Sequence, residues 1–512
     1  MHHFLAFSYN VHDSSVSIAD EERVLLVLEA ERYFGEKKKR CDRPEMETLV
    51  GAALAYVGIG IEDVDGVACT AYKNEHLPSS LRDVEWLAEH RLELAGRSFD
   101  ALILNHHLAH AAMVHAFPGA DDVVIDVCDG GGDFGDTHFV YRSTGHRIEA
   151  LPNRPIHDAF SSRFYDVTSR YLYGRIMCEG KLMALASLGE PRPNMMSFVR
   201  EHLEQFDRAP PEQTMLELGH RFPVTHALQS QTAFDLAASV QRVFEELRVQ
   251  SVAELPADAP YVLLAGGATL NIVANTRVRQ SLGGGRRLLV PPCCDDTGQS
   301  LGALLYHCHE RANVRVTAAM PFLGFSDHAD DGALGARDAS DELVAFLAGG
   351  GITFLHRGQS EIGPRALGHR SILAAPTRRS YDLINHVIKQ REFYRPLAPL
   401  VPRESVSAWF DWEGESKYML YAAETMPETR LRAPGICHYD HSARLQTVAA
   451  EDDPFLHALL TRVGDATGVP LLINTSLNPR GAPILSKIAE TRAFAQSMGD
   501  LGIRVFHDGR FD

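Results

Sequence analysis

The sequence predicts an α/β protein, and three observations carry that reading. A strand–polar turn–strand unit occurs twice, once over residues 4–19 and again over residues 123–142. Helical stretches with apolar residues at helical spacing lie between and after these units, at 44–57, 163–174 and 232–255. Tyr261–Ala265 then runs through Gly266-Gly267 into another helix, a join typical of alternating strands and helices.

Taken in order, the strand over 4–9 leads into a polar turn with His12 and Asp13, followed by strands over 16–19 and 23–30. A short strand is expected over 66–70, and the apolar run 100–104 feeds a helix that reaches to about 117. Asn105 is a good N-cap for it. His106 and His110 are four residues apart, so they share a helical face and two imidazoles can reach one metal ion. A bare H-x-x-x-H is more often a pair of satisfied core or surface histidines. What changes the balance is the acids that follow. The strand over 123–128 ends in Asp129-Gly130, and the strand exit over 291–298 carries Asp296. Two histidines and two aspartates form a mixed N/O donor set suited to iron(II), manganese or zinc. The glycines of 130–132 offer free backbone N–H groups to anionic oxygens. Asn271 and Asn275 are expected on one helical face behind Gly266-Gly267, where the backbone can approach a ligand closely and a helix N-terminus favours an anion. A helix is expected over 297–311. The acidic, weakly periodic stretch 326–341 marks a boundary between domains spanning 1–340 and 341–512.

The second domain differs in charge. Arg357, Arg365, Arg370, Arg378, Arg379, Lys389, Arg391 and Arg395 share a short span with only Glu361, Asp382 and Glu392 as acids. In a chain of net charge −17, that clustering reads as a local anion site, most naturally for phosphates. Arg444 and the stretch Asn474-Thr475-Ser476-Leu477-Asn478 add donors. The same net charge argues against a nucleic-acid partner, which needs a basic footprint. Eight cysteines without a C-x-x-C pair fit reduced thiols and a cytoplasmic location. We expect neither a signal peptide nor a membrane span, since no apolar run approaches about 18 residues.

These motifs together resemble the O-carbamoyltransferase family of antibiotic biosynthesis and nodulation-factor modification, over nearly the whole chain. His106 to His110, Asp129-Gly130, Gly266 to Asn271 with Asn275, and Asp296-Thr297-Gly298 match its N-terminal half. That half is similar to the actin-like domain of the universal tRNA threonylcarbamoyl transferase subunit, and the repeated hairpin follows the actin-like ATPase (ASKHA) pattern. Gly363 to Gly368 with Arg370-Ser371-Ile372, residues 389–395, and Asn474-Thr475-Ser476 match its C-terminal half. That smaller α/β half is similar to the domain that makes threonylcarbamoyl adenylate.

The resemblance implies two sites and a relay. ATP (with Mg2+) and carbamoyl phosphate would give carbamoyl adenylate in the C-terminal domain. There Arg365, Lys389 and Arg395 would bind ATP phosphates, and Arg444, Asn474, Ser476 and Asn478 would hold carbamoyl phosphate or its product. In the N-terminal domain Asn271 and Asn275 would hold the adenosine. A metal, Fe2+ or alternatively Mn2+ or Zn2+, would sit on His106, His110, Asp129 and Asp296 and engage the carbamoyl group. A small-molecule hydroxyl would be the acceptor, with Asp129 and His12 as catalytic residues. His12 would act as general base or acceptor contact, or else as half of a turn-stabilising His-Asp pair. The sequence leaves room for a homodimer.

Departures from the family pattern fall beside the ligand positions. Leu477 stands where phenylalanine is usual, Ala482 replaces the glutamate of Gly-Glu-Pro, and Ser187 lies in a variant of Met-Gly-Leu-Ala-x-Tyr-Gly. Rival readings are a tRNA-modifying carbamoyl transferase, which the acidic charge opposes, and a nonenzymatic nucleotide-sensing actin-like protein. A sugar or acid kinase would use magnesium on carboxylates and phosphates, which a His/Asp set does not suit.

Overall fold

Strands β1 (His3–Ser8), β2 (Ser15–Ala19) and β3 (Val24–Glu29) form an antiparallel meander. Strands β4 (Val64–Thr70) and β6 (Arg97–Leu104) add parallel to β1, and β5 (Leu87–Leu94), which sequence patterning did not indicate, closes the edge. The sheet order is β3-β2-β1-β4-β6-β5. Strands β7 (Asp122–Cys128), β8 (His138–Thr144) and β9 (Arg147–Ala150) repeat the meander, with β10 (Tyr261–Ala265) and β11 (Arg287–Leu289) parallel beside β7. The second sheet therefore runs β11-β10-β7-β8-β9. Both sheets share a three-strand meander extended by two parallel strands, which is the doubled sheet of the actin-like fold. This computed structural model describes residues 2–145, 147–152, 161–203, 211–224, 229–327 and 340–512. Most of the stretch read as the domain boundary, 328–339, lies outside the described residues.

Helix Arg43–Val57 starts on a capping box between Asp42 and Glu45 and ends at Gly58. It buries Met46, Leu49, Val50, Ala53 and Leu54, a stripe of helical spacing, against the first sheet. Helix Gln299–Tyr306 is buried on every side. It lies in one core with Phe4, Ala6 and Leu104 of the first sheet and Val123, Ile125 and Val127 of the second. Gly302 allows this, since a Cβ there would stand 1.9 Å from the Ala109 carbonyl oxygen of the histidine-bearing helix. Ser300 Oγ is tied to Ser15 at 2.8 Å and Ser17 at 2.7 Å, fixing the helix to β2.

Some elements are less regular than the sequence suggests. The expected helix from 105 to 117 is an α-helix over His106–Ala111 followed by a 3-10 segment over Ala112–Ala116. Asn271 is the N-cap of helix Ile272–Ser281 and not a helical residue, so it does not share a helical face with Asn275.

The C-terminal part holds a seven-stranded mixed sheet centred on Ile352–His356, Arg370–Ala374 and Leu472–Ser476, plus a three-stranded one. It packs closely on the first part. Val124, Leu264, Val278 and Cys294 share a core with Phe354, Ile372, Trp409 and Trp412. Buried Arg32 donates to the carbonyl of Gly363 at 2.6 Å and pairs with Glu29 at 2.6 Å, while Glu29 accepts from the Gly363 N–H at 2.6 Å. Among the described residues no helix is long and apolar enough to cross a membrane.

Gly302→Ala should force the Gln299–Tyr306 helix off its neighbour and cost about 1–3 kcal/mol. Chemical denaturation with an unchanged slope but a lower midpoint would report it. An unchanged midpoint would mean that the two helices are not in tight contact.

Candidate functional site

His106, His110, Asp129 and Asp296 come from three separate stretches and meet at one point. Their nearest donor atoms all lie within 4.8 Å of one another. His110 Nε2 is 3.2 Å from Asp129 Oδ2 and 3.3 Å from Asp296 Oδ1, and His106 Nε2 is 3.5 Å from Asp296 Oδ1. Both Nε2 atoms and Asp296 Oδ1 are buried and complete no hydrogen bond. Orphaned donor-acceptor atoms converging in a buried site need a partner, and a divalent cation satisfies all of them. Without one, burial depresses the His110 imidazole, but Asp129 and Asp296 outweigh it and hold it up to about 9. Burial would raise Asp129, yet the two histidines hold it well below the usual carboxylate range.

The histidine helix and Asp129 are held from behind. Asn105 accepts from the N–H groups of His107 at 2.8 Å and Leu108 at 3.3 Å, capping the histidine helix as its sequence suggests. Asp133 accepts from the His106 N–H at 2.7 Å and the Val84 N–H at 2.9 Å. Gln299 Nε2 donates to the His106 carbonyl at 3.1 Å. Asp129 Oδ2 accepts from the Gly267 N–H at 2.8 Å, so the Gly-Gly turn orients a carboxylate. A side chain on Gly132 would collide with the His106 and His107 rings at 2.6–2.9 Å.

His12 lies at the rim. Its Nδ1 is 2.7 Å from Asp13 Oδ2 and 3.8 Å from Asp296 Oδ2. Burial lowers this imidazole, and the Asp13 bond and Asp296 charge more than reverse that, to about 9. Lys38 donates to the same Asp13 oxygen at 2.6 Å and lies 3.8 Å from Asp295. Sequence reasoning passed over Lys38 and Asp133. The triple-lysine run 37–39 in an acidic chain was the available signal for the first.

A second assembly is cationic. Burial lowers the Arg444 guanidinium well below its ordinary value, and the charged groups that lower it further are Arg365, Arg391 and Arg395. Arg391 falls to about 9 through burial and Arg395. Buried Nε atoms of Arg365 and Arg444 and Oδ1 of Asn474 have no hydrogen-bond partner. Crowded, desolvated guanidinium groups with open donors fit a multiply charged anion. Lys389 is already engaged, donating to the Ser476 carbonyl at 2.5 Å, the Asn478 carbonyl at 2.9 Å and Asn478 Oδ1. It therefore braces the turn that presents Ser476 and Asn478. Arg395 lies 3.9 Å from Glu392. Lys37, from the N-terminal part, is also lowered by burial, with Arg391 and Arg395 among its causes, so that part contributes a cation here.

Asn271 and Asn275 are not among these side chains. Asn271 exchanges two 3.0 Å hydrogen bonds with Gln241. Asn275 Nδ2 donates to the carbonyls of Thr269 at 2.7 Å and Leu420 at 3.0 Å, the latter in the C-terminal part. The two assemblies are neighbours, because a Cβ on Gly363 would stand 2.4 Å from the Pro292 carbonyl oxygen and 3.1 Å from Cys293 Cα.

Comparison with known proteins gives two family matches. The model described as Carbamoyltransferase N-terminus matches residues 84–305, and the one described as Carbamoyltransferase C-terminus matches residues 344–504. Nodulation protein NolNO of Sinorhizobium fredii is 29% identical, covering 94% of this chain and 76% of that protein. A 3'-hydroxymethylcephem-O-carbamoyltransferase of Amycolatopsis lactamdurans is 26% identical, covering 95% of each. Among solved structures, component A of the Acidaminococcus fermentans (R)-2-hydroxyglutaryl-CoA dehydratase aligns at a TM-score of 0.36 and 15% identity, over 60% of this chain and 97% of that one.

Metal content after loading with iron(II), manganese or zinc should fall sharply in His110→Ala. Asp133→Ala, which removes the brace on the His106 and Val84 N–H groups but no donor atom of the cluster, should weaken the metal about 10- to 100-fold. Elemental analysis decides both, and full retention by Asp296→Ala would remove Asp296 from the ligand set.

Proposed function

Because the chain belongs to the carbamoyltransferase family, we propose that it is an ATP-dependent O-carbamoyltransferase that uses carbamoyl phosphate and carbamoylates a small-molecule, natural-product-type hydroxyl. The observation that carries this reading is the arginine assembly, in which Arg365, Arg391 and Arg395 act on buried Arg444 and the Nε atoms of Arg365 and Arg444 have no hydrogen-bond partner. Nothing short of a multiply charged anion balances such a group, and a triphosphate beside a carbamoyl phosphate does.

In the first half-reaction, water releases phosphate from carbamoyl phosphate and leaves carbamate. A carbamate oxygen then attacks the α-phosphorus of ATP and pyrophosphate leaves, giving carbamoyl adenylate. Arg365 and Arg395 neutralise the triphosphate, with Lys37 assisting and Lys389 bracing the Ser476–Asn478 turn. Arg444 and Asn474, with Ser476 and Asn478, hold the carbamoyl end. The product is a mixed anhydride with AMP as a good leaving group.

In the second half-reaction the acceptor oxygen attacks the carbamoyl carbon, the bond to AMP breaks, and the acceptor proton must leave. His12 Nε2 takes it, with Nδ1 held by Asp13. Asn271 and Asn275 hold the adenosine by exchanging their present partners. His106, His110, Asp129 and Asp296 would hold a divalent metal, which would supply Lewis-acid polarisation of the carbamoyl oxygen. Asp129 and Asp296 would anchor that centre, and positive charge beside Asp296 would bring His12 back toward its neutral, basic form.

Incubation with ATP and carbamoyl phosphate alone, followed by mass spectrometry, tests the first half. Carbamoyl adenylate and pyrophosphate are expected together. Absence of both would favour a nucleotide-sensing role. His110→Ala should keep adenylate formation while losing transfer to an acceptor. Arg395→Ala should lose pyrophosphate release, and normal release would exclude that arginine from the phosphate site.

A further inference from the structure

Phe134 is a large apolar side chain that is 64% exposed, at the tip of the turn following Asp129. Its backbone is left-handed, at φ +56°, a conformation that costs a phenylalanine free energy and that a glycine would take without penalty. The surrounding turn is tightly held. Asp133 accepts from the His106 and Val84 N–H groups, and the Phe134 N–H donates to Asp83 at 3.0 Å. Arg163 donates to the carbonyls of Gly130, at 3.0 Å, and Gly135, so it clamps both ends. The tip is thus fixed to the histidine helix through Asp133, and among the described residues no core cluster includes the ring.

The turn also stands where the metal cluster reaches solvent. His106, His110 and Asp296 side chains are 0%, 1% and 8% exposed, whereas Asp129 is 13% exposed and Gly130 beside it is fully on the surface side. Tyr72 packs edge-on against His106, with ring centroids 5.4 Å apart, and is only half-buried. Exposed carboxylates of Asp83, Glu85 and Asp136 surround that turn.

We propose that Phe134 is the platform that binds the acceptor, stacking against the C–H face of a saturated, hydroxyl-bearing ring of the glycosyl type. Tyr72 forms the inner wall and the surrounding carboxylates accept hydrogen bonds from the ring's other hydroxyls. An aromatic face with nearby carboxylate acceptors suits a molecule with one apolar face and a rim of O–H donors. This deepens the carbamoyl-transfer reading and rests on it for the reaction, but not for the binding.

Two variants test it in the full-length, metal-loaded protein. Phe134→Trp puts a fluorophore at the platform. Titration with methyl β-D-glucopyranoside should change its emission saturably, while glycerol, which has hydroxyls but no ring face, should not. An emission that ignores the glucoside overturns the proposal. In Phe134→Ala, transfer to the glucoside should show a KM raised about tenfold with kcat little altered, the size expected for one lost stacking contact. An unchanged KM overturns it equally. Elemental analysis shows whether the metal cluster survives each change. Failure to form carbamoyl adenylate in the unaltered protein would sink the reaction but not the ring binding, which the fluorescence titration judges separately.

Discussion

Two carboxylates, Asp129 and Asp296, are held near each other and near two imidazoles in a place almost closed to water. Like charges at that separation repel strongly when solvent cannot screen them, so the arrangement stands only with compensating positive charge. The surroundings are built to impose it all the same. Asp129 is anchored by the Gly267 N–H, the histidine helix by Asn105 and Asp133, and the Asp296 helix by three serine hydroxyls on two elements. Electrostatic cost at a ligand site is sustained by ordinary packing and hydrogen bonding around it.

The same architecture brings the two assemblies together. Asp295 and Asp296 follow Pro292-Cys293, and the Gly363 loop that carries Arg365 rests directly on that pair. Glu29 and Arg32 hold this loop from the other side. Lys38 donates to Asp13 and lies next to Asp295.

Much of the local structure was legible because it follows from short-range rules. The Asn105 cap, the i,i+4 histidines, the helix over 44–57 and the two strand–turn–strand units each depend on a handful of adjacent residues. Where sequence reasoning slipped, a long-range contact had intervened. Asn271 left the helix to cap it and pair with Gln241, thirty positions away. Strand Leu87–Leu94 is an edge strand with weak apolar alternation, and its pairing with Arg97–Leu104 makes it a strand.

By itself the sequence determined the chemistry on offer: two histidines on one helical face, acids at two strand exits, and arginines concentrated in an otherwise acidic chain. Residue type and near-neighbour spacing are sufficient for that. Only the tertiary structure decided which of these groups meet. Asp296 reaches His106 because Gly302 lets two helices touch, and the Gly363 loop reaches Pro292-Cys293 because the two parts of the chain share a core. It also decided that Lys389 braces a turn and that Phe134 is left in the open. Those outcomes depend on packing between residues tens to hundreds of positions apart, which no local pattern records.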